Sequence, residues 1–536
     1  MRLFLALLLG YCFPPTLQCF ADAHGGDIAS GMTCSGTVTS PSQPESYEIQ
    51  VTAGDFVRGS VRGAGITVWL VDRDQTKLRR LASGIGSLQN FMFVVGDRGP
   101  YTLELSGKTG TAYDLNLDSV IPVADQTLPD DQLASPMLSS LRKHLQAGGD
   151  TTKFWSQISE SGTPLIETSN VTPPLAGDEA LLTFLWRGAK HNVRLFGSPS
   201  GDHDELKQLA QSDVWYHSYR VPKTARIDYR LAPDVPVFRG TPTQRRRAIL
   251  ATAQRDPLNP LHEPLDPVDA YEGVSIVELP DAPQPIWSTV NPDVPKGSVE
   301  THLLTSSILG NTRDIHLYRS AGYVPNAKGN ALIVTFDGDQ YRDDVKVPVI
   351  LDNLVAAGKI PPTAAIMISN PSQKSRSAEL PCNDDFARFL SEELMPWAKQ
   401  KHISAARENT VVAGASFGGL ASAFIGLKLP NLFGNVFSQS GSLWWAPGGF
   451  EAKGTTESQW LTRQYVTAQL PPVRYYLETG TFERPSEILQ CTRHLRDVLQ
   501  AKGQDVKYNE FVGGHGYFYW RYSFAKGILH LLGNRS

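Results

Sequence analysis

The chain has 536 residues, a formal net charge of −4 and 19% charged residues. It is too long for one hydrophobic core, so we expect several domains, and its composition excludes a disordered or membrane-embedded protein. No lysine and arginine block interleaved with aromatic residues appears, which argues against nucleic acid as a partner, and the cluster Arg245-Arg246-Arg247 is interpreted as solvated surface.

The first 23 residues are typical of a secretory signal peptide. Met1-Arg2 precedes the apolar residues 3–9, and Ala21 and Ala23 offer small side chains at the cleavage site. No later run approaches about 18 apolar residues, so we expect no transmembrane helix. We therefore expect residues 1–23 to be removed and the mature protein to be periplasmic or secreted.

Residues 24–124 alternate apolar and polar side chains in short runs, separated by turns rich in glycine, proline and aspartate. Residues 47–51 and 101–105 are two examples. This alternation predicts a small antiparallel β-sandwich, in which we find no catalytic set. Leucine side chains at helical spacing then predict a helical connector over residues 125–164.

A second β-rich domain is predicted over residues 165–295. Its strand-like segments are residues 180–186, 191–196, 215–221 and 225–231. The proline-rich end, residues 281–295, is interpreted as a linker into the last domain.

From residue 296 the pattern changes to continuous apolar strands that alternate with helices. Residues 331–336 and 364–368 are such strands, and residues 386–399 are a predicted helix. This alternation predicts a doubly wound, mostly parallel α/β domain over residues 296–536, so the fold class is α/β with two β-rich sandwich-like domains before it.

The last domain contains the run Val411-Val412-Ala413-Gly414-Ala415-Ser416-Phe417-Gly418-Gly419. A β-branched strand, a Gly-x-Ser-x-Gly turn and a following helix are typical of the nucleophile elbow of α/β-hydrolases. The alternative is a glycine-rich turn without chemistry. We predict that Ser416 is the nucleophile of an acyl transfer reaction.

A serine nucleophile needs a general base, and in the α/β-hydrolase order that base follows the serine. Three histidines do so: His494, His515 and His530. His494 and His530 fall in helical patterns, whereas His515 lies in a glycine-rich loop between a strand and a helix. His515 is therefore the predicted base.

The remaining catalytic groups are an orienting acid and donors for the oxyanion. Glu483, just past a strand end, is the predicted acid, and the mid-strand Glu478 is the second choice. The backbone N–H of Phe417 and the turn at Gly338 and Asp339 are the predicted oxyanion hole.

Several motifs occur in one order along residues 150–536. They are Asp256-Pro257-Leu258-Asn259-Pro260, the turn at Asp337-Gly338-Asp339, Arg376-Ser377-Ala378-Glu379-Leu380-Pro381-Cys382-Asn383, the elbow, Ser438-Gln439-Ser440-Gly441-Ser442-Leu443-Trp444-Trp445, Gly480-x-x-Glu483, Gly514-His515 and Trp520-Arg521. In these motifs the chain resembles the enterochelin (enterobactin) esterases of the esterase D branch of the α/β-hydrolases.

The resemblance implies Ser416, His515 and Glu483 in the roles already predicted, and likens residues 165–295 to the N-terminal domain of those esterases. It also implies a small-molecule substrate, the ferric complex of a cyclic triester of N-catechoyl serine, which is cleaved to dihydroxybenzoyl-serine units and iron. No resident cofactor or metal is implied, because ferric iron enters with the substrate. Oligomeric state stays open.

A ferric tris-catecholate is negatively charged and carries three flat rings, so cations and aromatic faces suit it. The substrate-binding residues expected from the family motifs are Arg376, Glu379, Trp444, Trp445, Arg484, Trp520 and Arg521.

Two features depart from the cytoplasmic two-domain esterases of this family, namely the export signal and the additional β-sandwich. A secreted carbohydrate or feruloyl esterase of the same fold is therefore an alternative, because extra β-sandwiches accompany such enzymes. A siderophore-binding protein with a vestigial catalytic set is a second alternative.

Removal of the signal peptide leaves Cys34, Cys382 and Cys491. In an oxidising compartment, three cysteines allow one disulfide and one free thiol. The expected pair is Cys382 with Cys491, since both lie in the catalytic region, and three unpaired buried cysteines are the alternative.

Overall fold

The computed structural model describes residues 17–19, 25–84, 86–126, 133–201, 203–449 and 457–533. The predicted signal peptide lies outside the described residues apart from residues 17–19, so export stays a prediction. The chain divides into two compact units, residues 1–132 and residues 133–536. None of the described helices is long and apolar enough to cross a membrane.

The first unit consists of two five-stranded sheets, with strand orders β1-β3-β10-β5-β8 and β2-β4-β9-β6-β7. The strands are β1 (Leu17–Cys19), β2 (Gly25–Ile28), β3 (Met32–Thr37), β4 (Glu45–Ile49), β5 (Phe56–Arg62), β6 (Thr67–Val71), β7 (Lys77–Ser83), β8 (Leu88–Val94), β9 (Tyr101–Ser106) and β10 (Ala112–Ile121). Alternate side chains of both sheets share one apolar core. The predicted sandwich is confirmed, although β1 with β3 and β2 with β4 pair in parallel.

The second unit begins with two helices and a second sandwich of two four-stranded sheets, with orders β11-β12-β15-β14 and β13-β16-β18-β17. Its elements are α1 (Pro136–Gln146), α2 (Thr152–Ser161), β11 (Leu165–Glu167), β12 (Glu179–Arg187), β13 (Val193–Gly197), β14 (Lys207–Gln208), β15 (Val214–Pro222), β16 (Arg226–Pro233), α3 (Pro242–Thr252), β17 (His262–Glu263) and β18 (Val274–Glu278). Leu182, Leu195 and Leu231 belong to the core between the two sheets. The helices α1 and α2 pack on the first sheet through Leu138, Trp155 and their neighbours.

The rest of the unit is an eight-stranded sheet of order β19-β20-β22-β21-β23-β24-β25-β26. The strands are β19 (Ser298–Ser306), β20 (Asn311–Arg319), β21 (Ala331–Thr335), β22 (Thr363–Ile368), β23 (Thr410–Ala415), β24 (Asn435–Gln439), β25 (Arg474–Gly480) and β26 (Asp505–Phe511). The helices are α4 (Gly338–Asp343), α5 (Val347–Ala356), α6 (Gln373–Glu379), α7 (Asp384–Arg388), α8 (Met395–Gln400), α9 (Phe417–Lys428), α10 (Trp460–Thr467), α11 (Gln490–Ala501) and α12 (Tyr517–Leu532). In sheet order, the six strands from β22 through β21 to β26 are parallel to one another. β20 pairs antiparallel with β22 and with β19.

Helices cover both faces of this sheet, which explains the continuous apolar strands. Val334 and Val412 face α9 and α11, whereas Ile333 and Val411 face α5 and α12. The predicted α/β class is therefore confirmed. The predicted helix at residues 386–399 is formed by α7, a π-helical segment (Phe389–Leu394) and α8.

The cysteines differ from the expected pattern. Cys34 is disulfide-bonded, and the register of β1 and β3 places Cys19 opposite it. Cys382 and Cys491 are both free, so the expected Cys382–Cys491 disulfide is wrong. The reason is packing, since both side chains lie against the same apolar core, where an unpaired thiol is well accommodated.

Candidate active site

The nucleophile elbow is the turn from β23 into α9. Ser416 lies at this turn with φ 58° and ψ −118°, a conformation that is costly for a residue other than glycine. Its N–H donates to the Gln439 carbonyl at 3.0 Å, which fixes the turn to β24. A Cβ on Gly414 would lie 2.6 Å from the Gly418 backbone, so the close strand-to-helix approach requires glycine.

A second contact of the candidate site joins the loops after β25 and β26. The Nδ1 atom of His515 lies 3.0 Å from Oε2 of Glu483. Glu483 is buried, and its Oε1 accepts hydrogen bonds from the Gly480 N–H at 2.8 Å and from the Ser440 hydroxyl. The fixed carboxylate orients the half-exposed imidazole and leaves its Nε2 for another partner.

Glu478, the second choice for the acid, is placed elsewhere. It lies in mid-strand, fully buried, and accepts hydrogen bonds from Gln439 Nε2 at 2.8 Å and from the Ser523 hydroxyl. Burial raises the pKa of this carboxyl to about 7, against the opposing effect of the two hydrogen bonds. Of the two glutamates, Glu483 is the one that contacts His515.

Ser416 and His515 share one cavity of about 510 Å³. Its lining residues are Asp337, Asp339, Gln340, Asn370, Ser372, Gln373, Arg376, Ser416, His515, Gly516, Tyr517 and Trp520. A serine hydroxyl, an imidazole and a buried carboxylate behind the imidazole can together perform nucleophilic attack on an acyl carbon. The Ser442 hydroxyl lies 3.4 Å from that of Ser416.

The predicted oxyanion donors lie at two helix starts. Phe417 is the first residue of α9 and Gly338 the first of α4. Because the first-turn N–H groups of a helix have no partner within the helix, they favour negative charge. A Cβ on Gly338 would lie 2.7 Å from the Met367 carbonyl, so glycine lets this turn run against β22. The Asp339 side chain lines the cavity and pairs with buried His316 at 2.9 Å.

Arg376 lines the cavity but is already paired. Its Nε and a terminal nitrogen donate to the two Asp337 oxygens at 2.6 and 2.8 Å. Burial alone would lower the pKa of Arg376, but these hydrogen bonds outweigh it and raise the pKa. Asn370 also donates to Asp337 at 2.6 Å. The pair thus presents to the cavity a cation whose charge is largely balanced.

Trp520 is the predicted aromatic residue that reaches the cavity. Its ring meets the His515 ring edge to face, with centroids 4.9 Å apart. Its Nε1 donates to the Ser440 hydroxyl at 3.0 Å. Trp520 therefore packs against the predicted base and shares Ser440 with Glu483.

Five predicted substrate-binding residues do not line this cavity. Glu379 is buried in an ion pair with Arg313 at 2.8 Å. Trp444 and Trp445 pack against Phe417 and Trp460, respectively. The two tryptophan side chains therefore belong to the core of the α/β domain.

The other two, Arg484 and Arg521, reach the preceding sandwich. Arg521 is buried and donates to Glu263 at 2.9 Å. Arg484 donates to the Gly201 carbonyl at 3.0 Å. Both arginines connect the α/β domain to the domain before it, which a sequence motif does not reveal.

Several residues of the site received no role from sequence reasoning, although Asp337 and Ser440 occur in the quoted motifs. Asp337, Asn370 and Ser440 all follow the carboxyl ends of strands of one sheet, namely β21, β22 and β24. In an open α/β sheet, ligands bind at that edge, so this position was the available signal. Tyr517, two residues after His515, also lines the cavity.

Known families match both parts of the second unit. A family model described as putative esterase matches residues 306–531, and a model for the N-terminal domain of enterochelin esterase matches residues 181–288.

Curated relatives and a solved structure match more than half of the chain. The iron(III) enterobactin esterase of Dickeya dadantii is 28% identical over 74% of this chain and 96% of its own length. That of Yersinia enterocolitica is 33% identical over 57% of this chain and 90% of its own length. The structure of the Shigella flexneri enterobactin esterase in the presence of enterobactin superposes with a TM-score of 0.55, at 26% identity, over 70% of this chain and 97% of that one. The chain therefore belongs to the enterobactin esterase family.

Proposed function

We propose that this protein is a serine esterase that hydrolyses the ester backbone of catecholate siderophores such as ferric enterobactin. The products are dihydroxybenzoyl-serine units and the iron they carried. One observation supports this most directly: Ser416 shares a cavity with His515, which is paired with Glu483, in a chain of the enterobactin esterase family.

In the proposed reaction, Ser416 Oγ attacks an ester carbonyl of the trilactone while His515 Nε2 takes its proton. Glu483 holds the imidazole in the required tautomer through Nδ1. The N–H of Phe417 and the turn at Gly338 and Asp339 stabilise the oxyanion. His515 then protonates the departing serine alkoxide of the substrate, and water, activated by the same imidazole, releases the acyl group from Ser416.

Substrate chemistry suits the cavity in two respects. Arg376 and Trp520 bring a guanidinium and an indole beside the reacting serine. A flat, anionic catecholate is attracted by both kinds of group. Iron takes no part in bond cleavage in this proposal, because it is cargo of the substrate.

The test is product analysis with two substrates. The mature protein is incubated with ferric enterobactin and, separately, with feruloylated xylan oligosaccharides, and the products are separated by chromatography. We expect dihydroxybenzoyl-serine from the first substrate. Release of ferulate alone would replace the siderophore proposal with that of a feruloyl esterase.

A serine variant tests the covalent step. Ser416→Ala should lower kcat by roughly 10⁴- to 10⁶-fold, because the nucleophile is lost. Ser422→Ala is the matched control, since Ser422 is a buried serine of the same helix whose hydroxyl donates to the Gly418 carbonyl. Full turnover by Ser416→Ala would rule out the acyl-enzyme, and binding without turnover by the unmodified protein would indicate a siderophore-binding protein.

A further inference from the structure

A second group of cations lies outside the cavity, on the outer face of the sheet β13-β16-β18-β17. Phe196 of β13 is paired in register with Arg230 of β16. Their strand neighbours Leu195 and Leu231 point into the sandwich core. Because side chains alternate along a strand, Phe196 and Arg230 lie together on the opposite face.

The Phe196 ring organises this group. The guanidinium carbon of Arg230 lies 5.4 Å from the ring centroid, and that of Arg246, on α3, lies 5.7 Å from it. The His203 ring stacks on Phe196 with centroids 4.7 Å apart and an interplanar angle of 9°. A guanidinium held on a ring keeps its N–H groups available for an anion.

These two arginines lack carboxylate partners. In the described part of the chain neither Arg230 nor Arg246 forms an ion pair, and Nε of Arg230 is buried without a hydrogen-bond partner. Buried guanidinium N–H groups normally donate a hydrogen bond, so the Arg230 Nε–H is a buried donor without an acceptor. The Arg484 charge acts on Arg246, although Arg484 is itself paired with Glu487 at 3.2 Å, and the Asp228 carboxylate acts on Arg230. Arg230 and Arg246 therefore bring two positive charges to the Phe196 ring, and Asp228 opposes one of them without forming an ion pair.

The group lies next to the catalytic loops. Ser198, two residues after Phe196, lies against the His515 loop. A Cβ added to Gly514 of that loop would be 1.8 Å from the Ser198 hydroxyl. A Cβ on Gly516, which lines the cavity, would be 3.4 Å from Asp228 Oδ2. Arg230 is two residues along the strand from Asp228, a step of roughly 7 Å. Arg484 directly follows the catalytic-site residue Glu483.

We propose that Phe196, Arg230 and Arg246 form a second subsite that binds an anionic catecholate arm of the siderophore while an ester bond lies at Ser416. This inference rests on the proposed function. The cavity cation Arg376 is held in an ion pair by Asp337, whereas Arg230 and Arg246 form no ion pair in the described residues and can give the substrate charge-assisted hydrogen bonds. The sandwich domain would thus contribute to substrate recognition as well as to stability.

Two single variants test the subsite, Arg246→Gln and Arg230→Gln. Arg247→Gln is the matched control, because Arg247 is the exposed next residue of the same helix. The measurements are steady-state KM with ferric enterobactin, and Kd in the Ser416→Ala background for ferric enterobactin and for its uncharged per-O-methylated triester. Thermal unfolding confirms that each variant is folded.

We expect KM and Kd for ferric enterobactin to rise about tenfold in each variant, as for loss of one charge-assisted hydrogen bond. The uncharged triester should bind the variants and the parent within about twofold, and Arg247→Gln should match the parent. Unchanged KM and Kd in both variants, or an equal loss for charged and uncharged ligands, would overturn the subsite. If the unmodified protein does not cleave ferric enterobactin, the proposed function fails instead, and the binding comparison still decides the subsite.

Discussion

At the scale of single residues, two buried glutamates near the end of β25 differ in what they contact. Glu483 faces His515 and is fixed by the Gly480 N–H and the Ser440 hydroxyl. Glu478 faces Gln439 and Ser523 inside the sheet. Residue type and burial are alike, so the contact with the imidazole is what distinguishes Glu483 as the candidate catalytic acid.

This contrast gives a paired prediction on activity. Glu483→Gln should lower kcat by about 10²- to 10⁴-fold, because an amide no longer stabilises the imidazolium or selects its tautomer. Glu478→Gln keeps an acceptor for Gln439 and Ser523, and kcat should stay within about threefold. Steady-state kinetics on one ester substrate measures both. Equal losses would mean that the contact with His515 does not orient the base.

Glu478 also predicts a pH dependence of stability. The pKa of its carboxyl is 4.5 ordinarily and about 7 in the fold, where burial disfavours the charged form. Between these values the folded chain binds more protons than the unfolded chain, so the contribution of Glu478 to the free energy of unfolding falls as pH rises. Above both pKa values the loss is complete.

The measurement is denaturant unfolding of the parent and of Glu478→Gln from pH 4 to pH 8. The parent should lose stability relative to the variant across the window from pH 4.5 to about 7, by up to about 1.4 kcal/mol per pH unit. A constant difference between the two proteins over that window would mean that Glu478 titrates normally.

At the scale of elements, the site depends on how closely the loops at the strand ends approach one another. Gly480 ends β25, and a Cβ there would lie 2.3 Å from the Gly513 carbonyl, in the backbone of the loop that carries His515. This contact is between main chains, so no side-chain rotation can relieve it. Gly480 thus lies against the His515 loop on one side and donates its N–H to Glu483 at 2.8 Å on the other.

Gly480→Ala should therefore displace the His515 loop. We expect kcat/KM to fall on the order of 10- to 100-fold through misplacement of the base, and stability to fall by about 1–3 kcal/mol. Gly329→Ala is the matched control, since a Cβ at Gly329 meets nothing within 4 Å. Kinetics and thermal unfolding of both variants test this prediction. A fully active Gly480→Ala protein would show that the His515 loop can accommodate the added methyl group without displacing the base.

The elements that were predicted well are those in which local sequence determines local structure. Val411, Val412 and the glycines around Ser416 favour a strand, a tight turn and a helix, and these elements are present here. His515 and Glu483 were selected by chain order and by their position after a strand, and the structure places their side chains 3.0 Å apart; their catalytic roles stay predictions. In contrast, Arg484, Arg521 and Glu379 have long side chains, and their partners are set by tertiary packing that no local pattern encodes. The cysteine pairing was wrong for the same reason.

At the scale of the whole molecule, the sequence predicted both sandwiches and the α/β domain, because alternation and continuous apolar runs report burial on one or both faces of a sheet. It did not reveal that Arg246, in a run interpreted as solvated surface, would lie over an aromatic ring beside Arg230. Periodicity describes which side of an element is buried. It does not predict which side chains of two different domains come into contact.

The contact between α12 and the second sandwich limits how the enzyme can be divided. Tyr519 accepts a hydrogen bond from the Asp228 N–H at 2.9 Å, Arg521 pairs with Glu263, and Phe482 and Val512 pack against the core between the sandwich sheets. An expressed fragment beginning at residue 296 would expose this face of α12 and leave the loops of Glu483 and His515 without their supporting surface. A designed protein that is to carry this activity should therefore contain both the second sandwich and the α/β domain.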